Sequence, residues 1–442
     1  MNVLEAIETL TYEECSEKVD FPLLGKQLKY IADCSDFYNE KWKAVGLATS
    51  DVLEMKNFGE LPFTSKEDVL KEQADFPPFG RLANAPQMQE NLRRVHVTSG
   101  SSGRSVFIAM TEKDVQSTLT AGIRAFRCAG LTPNDTVVHC LSYCMWAGGV
   151  TDHLSLEGVG AMVVPFGVGH SHKLIETIRR IKPTGISCTP SYLSRLELLL
   201  KEDFGITPKD LGLKKAFLGG EGGLQNPEIR EKIRSTWGLE PMDANYGMSD
   251  VLSIFGSECE HQAGLHFHGQ GIIHLELINP DSGIKLPVVA GQIGEMVLTN
   301  LTREAQPLLR YKTGDLIEVL STSRCDCGRN SLRFKVVDRV DDMITVRGIN
   351  VYPSSVGKIL SDRHACFSGE YELVLTTPPP YERPVLRVEA GQTVTKDEFP
   401  GLMEMLTELC ASELNFTPAV ELLEYGMFPR SEGKTKRVRK AY

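Results

Sequence analysis

"GAMVVPFGVGHSHKLIETIRRIKPTGISCTPSYLSRLELLL", residues 160–200, holds the pattern that decides the fold. Two short apolar runs, "GAMVVPFG" and "GISCTP", read as buried strands. Each is followed by an amphipathic segment, "SHKLIETIRRIK" and "PSYLSRLELLLKEDF", that reads as a helix. Strands that alternate with helices pair in parallel, because each helical crossover covers a face of the sheet it returns to. Working outward, "TVVHCLS" upstream and "KKAFLGG" downstream repeat the strand pattern, and "KDVQSTLTAGIRAFRCAG" adds a helix. The chain between residues 110 and 240 is therefore predicted to form a largely parallel sheet covered by helices.

Past residue 270 the texture changes. "IIHLELINPDSGIKLP" and "GEMVLTNL" read as β-hairpin material around a Pro-Asp-Ser-Gly turn. The last section carries strands at "EYELVLTT", "PVLRVEAG" and "AVELLEYG", with a helix at "TKDEFPGLMEMLTELCASEL". That is a small α+β unit of ordinary domain size. The expected fold class is α/β. A large N-terminal domain, 1–340, would combine mixed and parallel sheets covered by helices with a β-rich part, and a small mobile C-terminal α+β domain would span 341–442.

The totals set limits on function. The chain has 442 residues, of which 41% are hydrophobic and 24% charged, values typical of a folded soluble protein. A net charge of -10 argues against a bulk nucleic-acid binder, which needs a basic face. No apolar run reaches the ~18 residues of a membrane span. The N-terminal "MNVLEAIETLTYEECSEK" lacks the basic start and apolar core of a secretory signal. Eleven scattered cysteines, an odd number, read as mostly reduced, and the expected compartment is cytoplasmic. The assembly state is left open, with a homodimer as one option.

Four segments carry candidate chemistry. In "VTSGSSGRS", Thr98, Ser99, Gly100, Ser101, Ser102 and Gly103 precede Arg104. Bare backbone, hydroxyls and a cation suit a polyphosphate, and the same composition suits an ordinary flexible loop. "GGEGG" at 219–223, "NYGMSD" at 245–250 and "YKTGDL" at 311–316 each join glycine to a carboxylate or hydroxyl. They fall where strands should end, which is where open α/β sheets bind ligands. A further constellation comprises Cys259, His261, His266, His268, Cys325 and Cys327. Thiolate and imidazole suit zinc in a closed tetrahedral site; the alternative is a set of unliganded thiols beside a surface hairpin.

Taken in order, these segments resemble the adenylate-forming superfamily of acyl-CoA synthetases, and most closely phenylacetate-CoA ligases. The likeness runs through "VTSGSSGRS", "SYCMWAGGVTDHLSLEGVGAMVVPFGVGHS", "GGEGG", "NYGMSD", "LTREAQPLLRYKTGDL", "DRVDDMITVRGINVYP" and "RSEGKTKRV", over roughly residues 90–440. It implies a two-step reaction. An aromatic acid is activated with MgATP to an acyl-adenylate, pyrophosphate leaves, and the thiol of CoA then displaces AMP. Rival readings are an enzyme that loads a carrier protein and a non-catalytic nucleotide-binding protein on the same fold.

The resemblance also implies roles. Thr98 to Arg104 would close over the β- and γ-phosphates. Gly220, Glu221 and Gly222 would line the adenine side and Tyr246 would stack on the base, with Gly247 and Met248 beside it. Ser249 and Asp250 would stand by the phosphates, Asp250 toward Mg²⁺. Asp315 would accept both ribose hydroxyls. Arg339 would contact ATP, Asp341 would be the domain hinge, and Arg347 and Gly348 would face CoA. Lys434 is the expected adenylation lysine, with Lys436 as its rival. Tyr143, Trp146, Ala147, Gly148, Gly149 and His153 would form a flat slot for the aromatic ring. Cys259, His266, Cys325 and Cys327 would hold structural Zn²⁺. No nucleic acid and no membrane partner is expected.

Overall fold

The computed structural model describes residues 4–83, 89–98, 105–222, 224–340, 344–346, 349–363, 365–377, 381–428 and 437–442. Two strands, β1 (Leu92–Val97) and β2 (Phe107–Thr111), pair as an antiparallel hairpin. The parallel strands follow: β3 (Thr136–His139), β4 (Met162–Pro165), β5 (Gly185–Cys188), β6 (Lys215–Gly219) and β7 (Glu240–Met248). Next come β8 (Leu252–Ser257), β9 (Leu265–Phe267), β10 (Ile273–Ile278), β11 (Lys285–Leu286), β12 (Ile293–Asn300), β13 (Tyr311–Ser321) and β14 (Arg333–Arg339). Strands β3 to β14 form one 12-stranded sheet in the order β11-β10-β12-β13-β14-β9-β8-β7-β6-β5-β3-β4.

The run from β4 to β7 is parallel, as the strand–helix alternation predicts. Val137, Val138, Ile186, Ala216, Phe217 and Leu218 are buried on these strands, which is why they read as unbroken apolar runs rather than alternating ones. The helix Ser171–Ile181 buries Leu174, Ile175 and Ile178, one stripe at helical spacing. Burying each such side chain contributes about 1.5–3 kcal/mol. Along this sheet from β7 to β11 every pairing is antiparallel.

Helices between Tyr12 and Asp75 cover the antiparallel half. Leu24, Leu28 and Ile31, one face of the helix Phe21–Cys34, share a core with Phe255, Phe267, Ile317 and Phe334. The C-terminal unit has its own core, including Val356, Leu373, Leu386, Val388 and Leu406. It contains the hairpin β15 (Ile344–Val346) and β16 (Ile349–Val351). Its four-stranded sheet runs in the order β19-β18-β17-β20, with β17 (Phe367–Leu375), β18 (Val385–Ala390), β19 (Ala419–Leu423) and β20 (Val438–Lys440). It is a separate α+β domain, its helix Phe399–Leu414 falling where the sequence pattern places one.

Candidate active site

Strand β7 is the seam between the parallel and antiparallel halves of the sheet, and Tyr246 stands on it. The Tyr246 hydroxyl donates to Asp315 Oδ2 at 2.7 Å. Arg339 Nη1 donates to the other oxygen, Oδ1, at 2.5 Å. In a flat sheet, β7 and β13 would stand four strand spacings apart, about 19 Å. The hydrogen bond therefore requires the antiparallel half to curl back toward β7. Burial, reinforced by the Asp315 charge, holds the Tyr246 hydroxyl far above its ordinary range, so it stays protonated and donates. Its ring packs edge-on against Phe255 and Phe334, with centroids at 5.1 and 5.4 Å.

Neither Asp315 nor Arg339 is a solvated turn residue. Asp315 lies inside β13, is 6% exposed and stands directly opposite Arg339 of β14 in the ladder. Opposite charges at facing positions of an antiparallel pair attract.

Ser249, Asp250 and Val251 make the tight connection from β7 to β8. Burial pushes the Asp250 carboxyl above its ordinary range, and the charges of Lys66, Arg303 and Arg339 act against that. Arg303, itself buried, donates from Nη1 to the carbonyls of Asp250 and Val251 at 2.8 and 3.0 Å. Lys66 opens the helix Lys66–Asp75, in a region where sequence reasoning sought no site residue. Arg303 lay in view within "LTREAQPLLRYKTGDL", without a role.

Several expected residues serve the architecture. A Cβ on Gly247 would fall 2.1 Å from the Ser253 carbonyl oxygen, and one on Gly149 would fall 2.0 Å from that of Ser142. At both positions backbone occupies the space, so glycine is needed for close approach. Gly149 thus leaves no open slot of its own. Gly148 lies against the Trp146 ring, which also reaches toward Gly220. Glu221 accepts from the Ser191 amide and hydroxyl at 3.2 and 2.9 Å, at the start of the helix Pro190–Leu199. A carboxylate there satisfies a free amide of the first turn. Burial raises the Glu221 carboxyl, opposed by the Ser191 hydrogen bonds and the Arg437 charge.

Tyr143 and His153 meet at the carboxyl end of β3, the hydroxyl 2.9 Å from His153 Nδ1. Ala147 is buried at the start of the helix Ala147–Val159. Thr98 is buried; its hydroxyl accepts from the Val106 amide at 2.9 Å and its amide donates to the Val106 carbonyl at 3.0 Å. Residues 99–104, Asp341, Arg347, Gly348, Lys434 and Lys436 lie outside the described residues.

The model of the AMP-binding enzyme family matches residues 39–301. The chain belongs to that family. The AMP-binding enzyme C-terminal domain matches residues 348–441. The phenylacetate-coenzyme A ligase of Thermus thermophilus is 31% identical over 437 residues, covering 94% of each chain. That of Escherichia coli is 28% identical over 440 residues, covering 98% of this chain and 97% of the relative. The likeness thus extends upstream of residue 90, where the sequence motifs began.

Among solved structures, 2-hydroxyisobutyryl-CoA ligase in the postadenylation state, in complex with 2-HIB-AMP, superposes with a TM-score of 0.84 at 27% identity, covering 95% of this chain and 88% of that one. In the thioesterification state the same protein superposes at 0.67, covering 95% and 89%. Sequence identity is 27% in both comparisons, so the difference in score reflects the conformations of that protein.

A second cluster lies away from this site. One ligand atom each from Cys259, His266, Cys325 and Cys327 comes within 4.8 Å of all the others. His266 Nδ1 lies 3.1 Å from Ser331 Oγ, and its Nε2 faces Cys327 Sγ at 3.6 Å. Arg329 Nη1 lies 3.7 Å from the same sulfur, while its Nε donates to buried Glu8 at 2.8 Å. His268 bonds Ser257 Oγ instead, and His261 is exposed beside Glu260; neither joins the four.

Proposed function

We propose that the chain is an AMP-forming aryl-acid–CoA ligase. A carboxylate oxygen of an aromatic acid attacks the α-phosphorus of ATP and pyrophosphate leaves. The CoA sulfur then attacks the acyl carbon, AMP leaves, and the thiol proton is released. The Tyr246–Asp315–Arg339 group carries this reading. Asp315 accepts both ribose hydroxyls, which a carboxylate with two oxygens can do. Arg339 pairs with Asp315 and faces the phosphates, and Tyr246 presents its ring face to the base. Asp250 would help hold Mg²⁺, which would neutralise phosphate charge. Thr98 to Arg104 close over the β- and γ-phosphates.

The domain boundary falls between 340 and 341, with Asp341 as the hinge and Arg347 and Gly348 toward CoA. Lys434 serves the first step. Among the described residues, no helix is long and apolar enough to cross a membrane; reduced cysteines support a cytoplasmic location, and sedimentation tests for a homodimer. A panel of aryl and aliphatic acids, assayed for acid-dependent pyrophosphate release with and without CoA, tests the reading. Release only with aliphatic acids, or none at all, would refute it.

Structural zinc fits the four-residue cluster. Ser331 orients His266 so that Nε2 is the ligand nitrogen, a usual outer-shell arrangement, and Arg329 offsets the charge of three thiolates. Four protein ligands make a closed site without an open position for catalysis. The purified protein is expected to hold about one zinc per chain. Cys325→Ser should lose the zinc and lower Tm by about 5 °C or more, since metal binding is coupled to folding. Activity at low temperature should fall less. Elemental analysis with no zinc above background would remove the assignment.

A further inference from the structure

The cysteine cluster holds its sulfurs within reach of one another, and this inference rests on the zinc reading above. Cys259 Sγ lies 3.8 Å from Cys325 Sγ and within 4.8 Å of Cys327 Sγ. A disulfide holds its sulfurs ~2.05 Å apart, so closing Cys259 onto Cys327 takes a shift of less than about 3 Å. Access differs among the three. Cys259 and Cys325 are buried, while Cys327 is half-buried, so an oxidant from solvent meets Cys327 first. Cys325 is fixed within the same loop: its amide donates to the Arg329 carbonyl and its carbonyl accepts from the Gly328 amide, both at 2.8 Å. Cys128, packed in the same group, points its thiol at the Ser257 carbonyl at 3.9 Å. Cys259 is therefore the sulfur placed to meet Cys327 from outside the loop.

That loop also fastens the start of the chain. Arg329 Nε donates to Glu8 Oε1 at 2.8 Å, and both side chains are buried. The Asn330 amide donates to the Glu8 carbonyl at 2.9 Å, and Asn330 Nδ2 donates to the Thr9 carbonyl at 3.3 Å. A shift of the loop would strain a buried ion pair, which is costly to break.

We propose that Cys327 and Cys259 form a peroxide-driven modification site, in which a disulfide between them replaces the bound metal and loosens the segment from Leu4 to Thr9. Hydrogen peroxide transfers an oxygen to the Cys327 sulfur, giving a sulfenic acid, and its other oxygen leaves as water. The Cys259 sulfur then attacks the oxidised sulfur. The S–S bond forms, the S–O bond breaks, and that oxygen leaves as a second water. The sulfurs lose two electrons in all, the peroxide gains them, and two thiolates take up two protons from solvent on the way. His266 and Cys325 alone are then left as ligands, too few for a closed tetrahedral site.

The test treats the full-length protein, its zinc content measured beforehand, with a few molar equivalents of hydrogen peroxide. About one zinc per chain should be released to a chromogenic chelator. Mass spectrometry of non-reduced tryptic peptides should find the Cys259 peptide joined to the peptide Cys325–Arg329, with fragmentation placing the bond on Cys327. Amide exchange at Asn330 should speed up by about 10-fold or more as its bond to Glu8 opens. A thiol reductant with added zinc should reverse all three changes. Cys128→Ser should leave the linkage intact, and its loss in that variant would reassign the resolving sulfur and overturn the proposal. Wild-type protein oxidised only at exposed Cys144, or with the bond placed on Cys325, overturns it whatever the variant does. Zinc present without linkage would remove this inference alone; zinc absent before treatment would remove the metal reading and, with it, metal release.

Discussion

Asp315→Ala is expected to lower kcat/KM for ATP by about 100-fold. Two hydrogen bonds from the ribose hydroxyls to a charged acceptor contribute about 1.5–3 kcal/mol each, and about 2.7 kcal/mol is a factor of 100. The variant also strands its neighbours. Arg339 loses the carboxylate 2.5 Å away, and the Tyr246 hydroxyl loses its acceptor at 2.7 Å. Asp315→Asn keeps an acceptor oxygen for only one of these partners, so a loss of more than about 10-fold is expected there too. Pyrophosphate exchange at varied ATP reads the effect, with Tm as the check on folding. The Michaelis constant for the acid should move little. An unchanged ATP dependence in a folded Ala variant would end the ribose assignment.

Lys434→Ala should cut acid-dependent pyrophosphate release by about 100-fold or more, the scale of losing one preorganised donor at a charge that develops in the transition state. Thioester formation from supplied acyl-adenylate should be nearly unchanged. The split is expected if the two half-reactions use different placements of the small domain, a gating motion rather than a chemical one. Arg437, the nearest described cation, bonds Glu370 at 2.8 Å, and its charge lowers Glu221 beside the expected adenine site. Lys436→Ala should do less in either step. Equal loss in both steps for Lys434→Ala would mean a shared role or misfolding, and a larger first-step loss for Lys436→Ala would make that residue the adenylation lysine.

Much of the architecture was legible because each βα unit announces itself locally. The strand β5 and the helix Ser171–Ile181 bury residues whose spacing is visible in a window of a dozen positions, whereas β4, read as a buried strand, is the sheet's edge and has no buried residue, because no described strand covers its outer side. The helix Phe21–Cys34 carries the same signal in Leu24, Leu28 and Ile31, yet nothing in that pattern says which sheet face it covers. Lys66 was illegible for a related reason. A lone lysine at the start of a surface helix has no periodic or motif signature, and only packing brings its charge to Asp250.

The glycines show what motif reading left out. Gly247 and Gly149 stand in segments that carry chemistry, but each is set by a backbone oxygen that a Cβ would strike. Glu221 likewise directs its carboxylate to Ser191 at a helix start, a partner 30 residues away.

Resemblance to the adenylate-forming superfamily supplied the ordered motifs and narrowed six cysteine and histidine candidates to four; by itself the sequence determined the parallel sheet and the separate α+β end domain. These depend on local periodicity and on residue type, which need no knowledge of distance. Only the tertiary structure decided that Tyr246 and Asp315 touch, that Arg339 is paired rather than solvated, and that Cys259 and His266 meet Cys325 and Cys327. Each is a contact between strands or loops far apart in the chain. It is set by how a long sheet curls and which helices cover it, a balance of packing over the whole core that no short window of sequence contains.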